Sequence, residues 1–267
     1  MPKINVGDVG LYYELQGEGT DTLVFLNGIG MTASLWKPMA DHFSPQYRCL
    51  CHDFRGQLMS DKPEEPYSFD AHVADTLALL DALGVDKAHL IGTSYGSEVA
   101  AFFAFTHPQR TQSLTMITGV SEMDALLRSA VESWAAVARS GDAVAFYKSL
   151  LPWSYSAEFL ARQRDFLEAR SLEFAHISKD FLHAFARLVD AFVQLDCTAR
   201  LKEISCPTLI IAAEKDIIKP PRYSEIMHRE IRQSEYHVVP GSGHAVVVED
   251  PASLNKLLAD FLQRNKS

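Results

Sequence analysis

Ser94 stands in Gly92-Thr93-Ser94-Tyr95-Gly96, directly after the apolar run Ala88–Ile91 and just before a helical run through Val99–Phe105. A serine at the tip of so tight a strand-to-helix turn is forced out of ordinary backbone geometry. Glycines at 92 and 96 remove the side chains that would crowd it. The turn presents the hydroxyl at a helix N-terminus, whose free N–H groups and positive potential favour a developing oxyanion. The pattern predicts Ser94 as a nucleophile and the backbone N–H of Tyr95 as one oxyanion donor.

A serine hydroxyl needs a base within hydrogen-bond reach. Of ten histidines, His244 is the one in a glycine-flanked loop, Pro240-Gly241-Ser242-Gly243-His244-Ala245, after the apolar segment His237–Val239. His52, which ends an apolar strand beside Asp53, is its rival. The imidazole in turn needs a carboxylate to fix its tautomer. Asp216, in Ala213-Glu214-Lys215-Asp216 after the run Thr208–Ala212, is the expected acid, with Glu214 and Glu122 as alternatives. A second oxyanion donor is expected from Asn27-Gly28-Ile29-Gly30, after the run Thr22–Leu26, with Ile29 providing the amide. Asn27, Gly28, Ile217 and Ala245 are expected to touch substrate, with Ile218 and Val246 making the site largely apolar.

The elements that must position these residues follow from periodicity. Thr22–Leu26, Tyr47–Cys51, Ala88–Ile91, Ser113–Ile117 and Thr208–Ala212 are continuous apolar runs of strand length, as expected of parallel strands covered on both faces. Leu11–Leu15 alternates loosely, like an early antiparallel strand. Phe69–Leu83, with its Gly84 stop, Val99–Phe105 and Pro251–Phe261 read as helices. The alternation predicts an α/β fold with a doubly wound, mostly parallel sheet. From Ser121 to Glu203 the rhythm changes to helical blocks at Met123–Arg139, Ala143–Leu151, Glu158–Leu172 and Asp180–Gln194, punctuated by Gly141 and Pro152. Residues 1–120 and 204–267 are therefore expected to form the core and residues 121–203 an inserted helical lid. Most aromatics of the insertion should pack its own core. Trp134 and Trp153 are expected to face the pocket.

The 267 residues suit one α/β domain with such an insertion. A net charge of −9 without basic clusters disfavours nucleic acid as a partner. No stretch is long and apolar enough to span a bilayer, and the N-terminal residues do not resemble a signal peptide. Four cysteines do not make a disulfide framework at this size, and Cys49 and Cys51, two apart on a strand, should share a buried face. A cytoplasmic monomer or homodimer is expected. No Gly-x-Gly-x-x-Gly, His-Glu-x-x-His or Cys-x-x-Cys motif is present, so no cofactor or metal is expected.

Together these residues resemble the α/β-hydrolase fold superfamily, in particular its small esterase, enol-lactonase and C–C hydrolase branch with a helical lid. The order Ser94, Asp216, His244 is the chain order of that fold. Asp53-Phe54-Arg55-Gly56-Gln57-Leu58-Met59-Ser60-Asp61 is similar to a turn of the family, and Cys206-Pro207-Thr208-Leu209 to its entry into the strand before the acid. Three positions depart from the pattern: Asn27 replaces a usual histidine, and Leu58 and Ser97 replace frequent glycines. The resemblance implies hydrolysis of a small carboxylic ester or lactone through an acyl-enzyme. C–C hydrolysis, perhydrolysis, thioester cleavage and a non-catalytic ligand receptor are the alternatives on the same residues. Ser94 argues against the branches that use an aspartate nucleophile.

Overall fold

A computed structural model of the chain describes residues 3–265. Eight strands form one sheet: β1 (Lys3–Val6), β2 (Val9–Gln16), β3 (Thr22–Leu26), β4 (Arg48–His52), β5 (Ala88–Thr93), β6 (Thr111–Ile117), β7 (Thr208–Ala213) and β8 (Ser234–Val239). Their spatial order is β1-β2-β4-β3-β5-β6-β7-β8. β1 and β2 pair antiparallel and β2 runs antiparallel to β4, while every pairing from β4 to β8 is parallel. The doubly wound sheet expected from the sequence is therefore present, with β1 as an added edge strand that the apolar pattern did not reveal.

Every residue of β3, β5 and β7 is buried, which explains why these strands carry no polar alternation. Successive side chains still point to opposite faces. Val24 and Leu26 join a core with the helices α2 (Phe69–Ala82) and α3 (Tyr95–Thr106). Leu23 and Phe25 join a second core with α1 (Lys37–Phe43) and α11 (Pro251–Arg264). Cys49 and Cys51 both lie in this second core, and burial raises the Cys49 thiol to about 12, so it remains a protonated apolar group.

Between β6 and β7 the chain forms α4 (Ala125–Ser140), α5 (Ala143–Ser154), α6 (Ala157–Arg162), α7 (Arg164–Phe174) and α8 (Lys179–Phe192). Among the described residues, the only pairing of strand type there is an isolated bridge, Glu122 to Asp196, where the segment leaves and rejoins the sheet. Two details differ from the sequence reading. Pro152 lies inside α5, in its last turn, rather than ending it; the missing N–H leaves one carbonyl of the preceding turn without its helical donor. The block expected over 158–172 is split at Gln163, whose φ of −109° and ψ of 27° leave the helix. No glycine or proline marks that break. Phe146, Phe181 and Phe185 pack on one another, with centroids 4.6 Å apart for Phe146 and Phe185, and belong to the same core as α2 and α3. Beyond this segment come α9 (Pro221–Glu230) and α10 (Val246–Glu249).

Candidate active site

Among the described residues only Ser94 and Thr118 combine a side chain with positive φ, at 50° and 48°. They end the neighbouring strands β5 and β6 at the carboxyl edge of the sheet. Strain of this kind costs on the order of 1–3 kcal/mol per residue and persists only where the surroundings enforce it. At Ser94 they do: a Cβ on Gly92 would collide with the Gly96 backbone, and one on Gly96 with the carbonyl of Leu26. Ser97, one of the departures from the family pattern, helps to hold the turn. Its hydroxyl donates to the carbonyl of Gly92 at 2.7 Å and accepts from the amide of Ile117 at 3.0 Å.

Ser94 occupies the N-cap of α3 but its side chain does not cap the helix. Instead Oγ lies 2.9 Å from Nε2 of His244. The opposite ring nitrogen, Nδ1, lies 2.6 Å from Oδ2 of Asp216. Oδ1 of Asp216 accepts from the amides of Ile218 at 3.0 Å and Lys219 at 2.8 Å, which fixes the carboxylate plane. With Nδ1–H directed at the carboxylate, Nε2 is free to take the Ser94 proton. Loops after β5, β7 and β8 bring these three residues together across 150 residues of sequence.

The loop after β3 is shaped by a buried polar network. Asp53 Oδ1 accepts from the Ala33 amide at 2.6 Å and from Asn27 Nδ2 at 2.9 Å, and Oδ2 accepts from the Met59 amide at 2.9 Å. Trp36 Nε1 donates to Asn27 Oδ1 at 2.9 Å. Gln57 Nε2 donates to the Gly28 carbonyl at 2.8 Å, and the Met31 amide donates to the same oxygen at 3.1 Å. In a trans peptide the N–H points opposite to the C=O. The Ile29 amide is therefore turned away from Gln57, on a residue that borders the same cavity as Ser94 and Tyr95.

That cavity, of about 150 Å³, is lined by Gly28, Ile29, Ser94, Tyr95 and His244 on the sheet side and by Leu127, Trp134, Tyr147 and Phe192 from α4, α5 and α8. No aspartate or glutamate borders it; its charged members are Arg170 and Lys219. Trp134 Nε1 and Tyr147 Oη, both buried, have no hydrogen-bond partner among the described residues.

The α/β-hydrolase fold family matches residues 21–251, which includes all three residues of the Ser94–His244–Asp216 array. The chain belongs to this family and is an α/β-hydrolase enzyme. The RutD protein of Azorhizobium caulinodans, named as a carbamate hydrolase, is 27% identical over 262 residues, covering 98% of each chain. Among solved structures, MGS-M2, an α/β hydrolase from a Medee basin deep-sea metagenome library, superposes with a TM-score of 0.94 at 28% identity, over 100% of this chain and 98% of that one. The enol-lactonase of Burkholderia xenovorans LB400 shares the fold, with a TM-score of 0.90 at 24% identity, over 98% of this chain and 100% of that one.

In the hydrolase, the residues expected at the site divide into two groups. Ser94, His244, Asp216, Ile29, Tyr95, Gly28, Trp134 and Ala245 meet at or beside the cavity. Asn27, Trp153 and Ile217 do not border it. The Asn27 amide is consumed by Trp36, Asp53 and Gln57, so it shapes the loop after β3 from behind. Trp153 packs edge-on against Trp134, with ring centroids 6.5 Å apart. Ile217 is 56% exposed, and its neighbour Ile218 faces inward instead. The alternative residues are placed elsewhere: His52 is buried against Thr76, Glu214 accepts from the Gly241 amide, and Glu122 accepts from Thr198.

The sequence reading missed Glu98 and Lys219, a buried ion pair beside the array, with Nζ 3.0 Å from Oε1 and 3.1 Å from Oε2. A signal existed. Glu98 is the one charge in the apolar elbow helix, and Lys219 follows Asp216 by three residues. Glu249 was also missed; its carboxylate accepts from the amides of Ser156 at 2.9 Å and Gly243 at 3.1 Å. Among the described residues, no helix is long and apolar enough to cross a membrane.

Proposed function

We propose that the hydrolase cleaves a small carboxylic ester or lactone through an acyl-enzyme formed on Ser94. The observation that carries this reading is the continuous hydrogen-bonded path from Ser94 Oγ through His244 to Asp216, at 2.9 Å and 2.6 Å. Ser94 Oγ attacks the carbonyl carbon as His244 Nε2 takes its proton, and Asp216 stabilises the imidazolium. Negative charge gathers on the carbonyl oxygen, where the Ile29 and Tyr95 amides receive it. The C–O bond then breaks and His244 returns the proton to the departing oxygen. In a lactone that oxygen stays tethered to the acyl chain. Water, activated by His244, attacks the acyl-enzyme and releases the acid and Ser94.

The apolar wall from α4, α5 and α8 suits a small apolar acyl or alcohol group. In this reading residues 121–203 form a lid that excludes water from the reacting carbonyl, no cofactor is used, and the substrate is a small molecule met in the cytoplasm by a monomer or homodimer. Because the RutD relative is named for carbamate hydrolysis, carbamates belong in the substrate panel.

Turnover of p-nitrophenyl acetate, a simple lactone, a carbamate and a vinylogous diketone by the enzyme and by Ser94→Ala tests the assignment. Ester and lactone turnover should lead and should vanish in Ser94→Ala, and a fluorophosphonate should label Ser94. Retained turnover in the variant would overturn the nucleophile. A diketone as best substrate would move the reaction to C–C cleavage.

A further inference from the structure

Glu98 lies one helical turn beyond Ser94 on α3, and its carboxylate is fully buried. Lys219 is likewise buried, with 2% of its side chain exposed, yet it borders the cavity. Replacing a buried pair by apolar residues of similar volume is often neutral or stabilising, so stability by itself gives no reason to keep one here. The attachments of this pair are specific. The Val120 amide donates to Glu98 Oε1 at 2.8 Å, fastening the segment that leaves β6. The Lys219 backbone amide donates to Asp216 Oδ1 at 2.8 Å. The Lys219 ammonium stands 4.7 Å from the centroid of the Phe192 ring, on α8. One pair thus joins the nucleophile helix, the acid loop, the β6 exit and the helical insertion.

Burial pushes the Glu98 carboxyl up and the Lys219 ammonium down, and each is opposed by its partner's charge. The pair also feels the array: Glu98 interacts with His244, and Lys219 with Asp216. The other titratable groups in its field are Tyr95, from α3 itself, and Cys197, from the chain that returns to the sheet. Both are held protonated by burial.

We infer that Glu98 and Lys219 are positioning residues for His244 and Asp216. The Lys219 backbone sets the carboxylate of Asp216, and Glu98 cancels the ammonium charge that would otherwise oppose an imidazolium at His244. This inference rests on the proposed Ser94–His244–Asp216 mechanism. Without Glu98, any charge left on Lys219 is uncompensated in a low-dielectric site beside the ring that must become cationic in the transition state. Without Lys219, any charge left on Glu98 acts with the opposite sign.

Three variants test it: Glu98→Gln, Lys219→Met and the double variant, each followed by thermal melting, by kcat/KM for p-nitrophenyl acetate against pH, and by NMR titration of the His244 ring. Glu98→Gln should lower the kcat/KM plateau about tenfold and move its acidic limb about one unit to lower pH. Lys219→Met should move the limb to higher pH, and the double variant should return it to the wild-type position. A merely structural role would lower the plateau without moving the limb. Folded single variants with unmoved limbs, or a double variant displaced as far as Glu98→Gln, would overturn the inference. If Glu98→Gln does not fold, Lys219→Met carries the same test with the opposite sign. If the wild type neither turns over esters nor reacts with a fluorophosphonate, the proposed reaction fails, and the ring titration still decides the electrostatic role.

Discussion

Glu249 joins the loop that carries His244 to the helical segment above the sheet through a single neighbour, Ser156. One oxygen of its carboxylate accepts from the Ser156 amide at 2.9 Å, and the other from the Ser156 hydroxyl at 2.6 Å. The first oxygen also holds the Gly243 amide at 3.1 Å. The loop of His244 and the start of α6 are therefore linked by one side chain, beside the backbone bond from the Ala245 amide to the Ser154 carbonyl at 2.7 Å. Ser156 also caps α6 by accepting from the Phe159 amide.

Removing this link should loosen both segments. Hydrogen bonds to a charged group contribute about 1.5–3 kcal/mol each, and three sharing one carboxylate will not add fully. Glu249→Ala is expected to cost about 3 kcal/mol of stability and to lower kcat about tenfold, as the imidazole loses its fixed aim. Glu249→Gln, which keeps one good acceptor, should lose less of both. Urea unfolding and steady-state kinetics read the two effects. An alanine variant of wild-type stability and rate would show that the link carries neither.

The elbow glycines make a contrasting prediction. Gly96 faces the carbonyl of Leu26 with no room for a methyl group, whereas Gly84, at φ 66°, has nothing within 4 Å of the position its Cβ would take. Gly96→Ala should therefore cost upwards of about 3 kcal/mol by overpacking and displace Ser94. Gly84→Ala should cost only about 1–2 kcal/mol, the penalty of a left-handed backbone. Equal melting temperatures for the two variants would contradict the crowding ascribed to the elbow.

Acid stability should be set in part by buried histidines. Burial lowers His52 to about 4 and His72 to about 3, from an ordinary value of 6.5. The unfolded chain binds protons at these residues from about pH 6.5 downward, and the folded chain does not until about pH 4 and 3. Their contribution is full above the unfolded value and is lost as pH falls through that window. Between about pH 7 and pH 5 the loss is about 2 kcal/mol per histidine. Urea unfolding at a series of pH values should show the slope, and His72→Gln should flatten it. A variant with the wild-type slope would place the acid sensitivity elsewhere.

Trp134 Nε1 and Tyr147 Oη are buried donors without acceptors on residues that border the cavity. Leaving such a group unpaired costs about 1–3 kcal/mol, and Trp134→Phe and Tyr147→Phe remove it. Tyr147→Phe is expected to melt at or above the wild-type temperature, and Trp134→Phe below it, because the smaller ring also leaves a cavity. If a substrate oxygen meets these donors, KM for substrates carrying a second oxygen function should rise about tenfold while that for p-nitrophenyl acetate stays near wild type. Unchanged KM values across both classes would show that the donors stay unused on binding.

Much of this was legible along the chain because the features are local. The continuous apolar runs end within two residues of β3, β4, β5, β6 and β7, since strands covered on both faces have no polar alternation to obscure them. Gly92 and Gly96 were legible because backbone crowding leaves no other residue type. The meeting of His244 and Asp216 was legible because each lies in a short loop just after a strand end, at the carboxyl edge of the parallel sheet. The helical character of residues 121–203 was legible as well, but not the break at Gln163, which lies in a run of helix-compatible residues.

Which atom meets which was decided by the tertiary structure. Asn27 and Ile217 stand beside residues that border the cavity, yet one is bound to Trp36 and Asp53 behind the loop and the other points to solvent, because a rotation of one residue reverses the direction of a side chain. The pairing of Glu98 with Lys219, 121 residues apart, had no local trace beyond two charges in apolar surroundings. Periodicity and turn chemistry act over a few residues and can be read in order. Partnership between buried charges depends on how strands and helices stack, and only the packed molecule determines it.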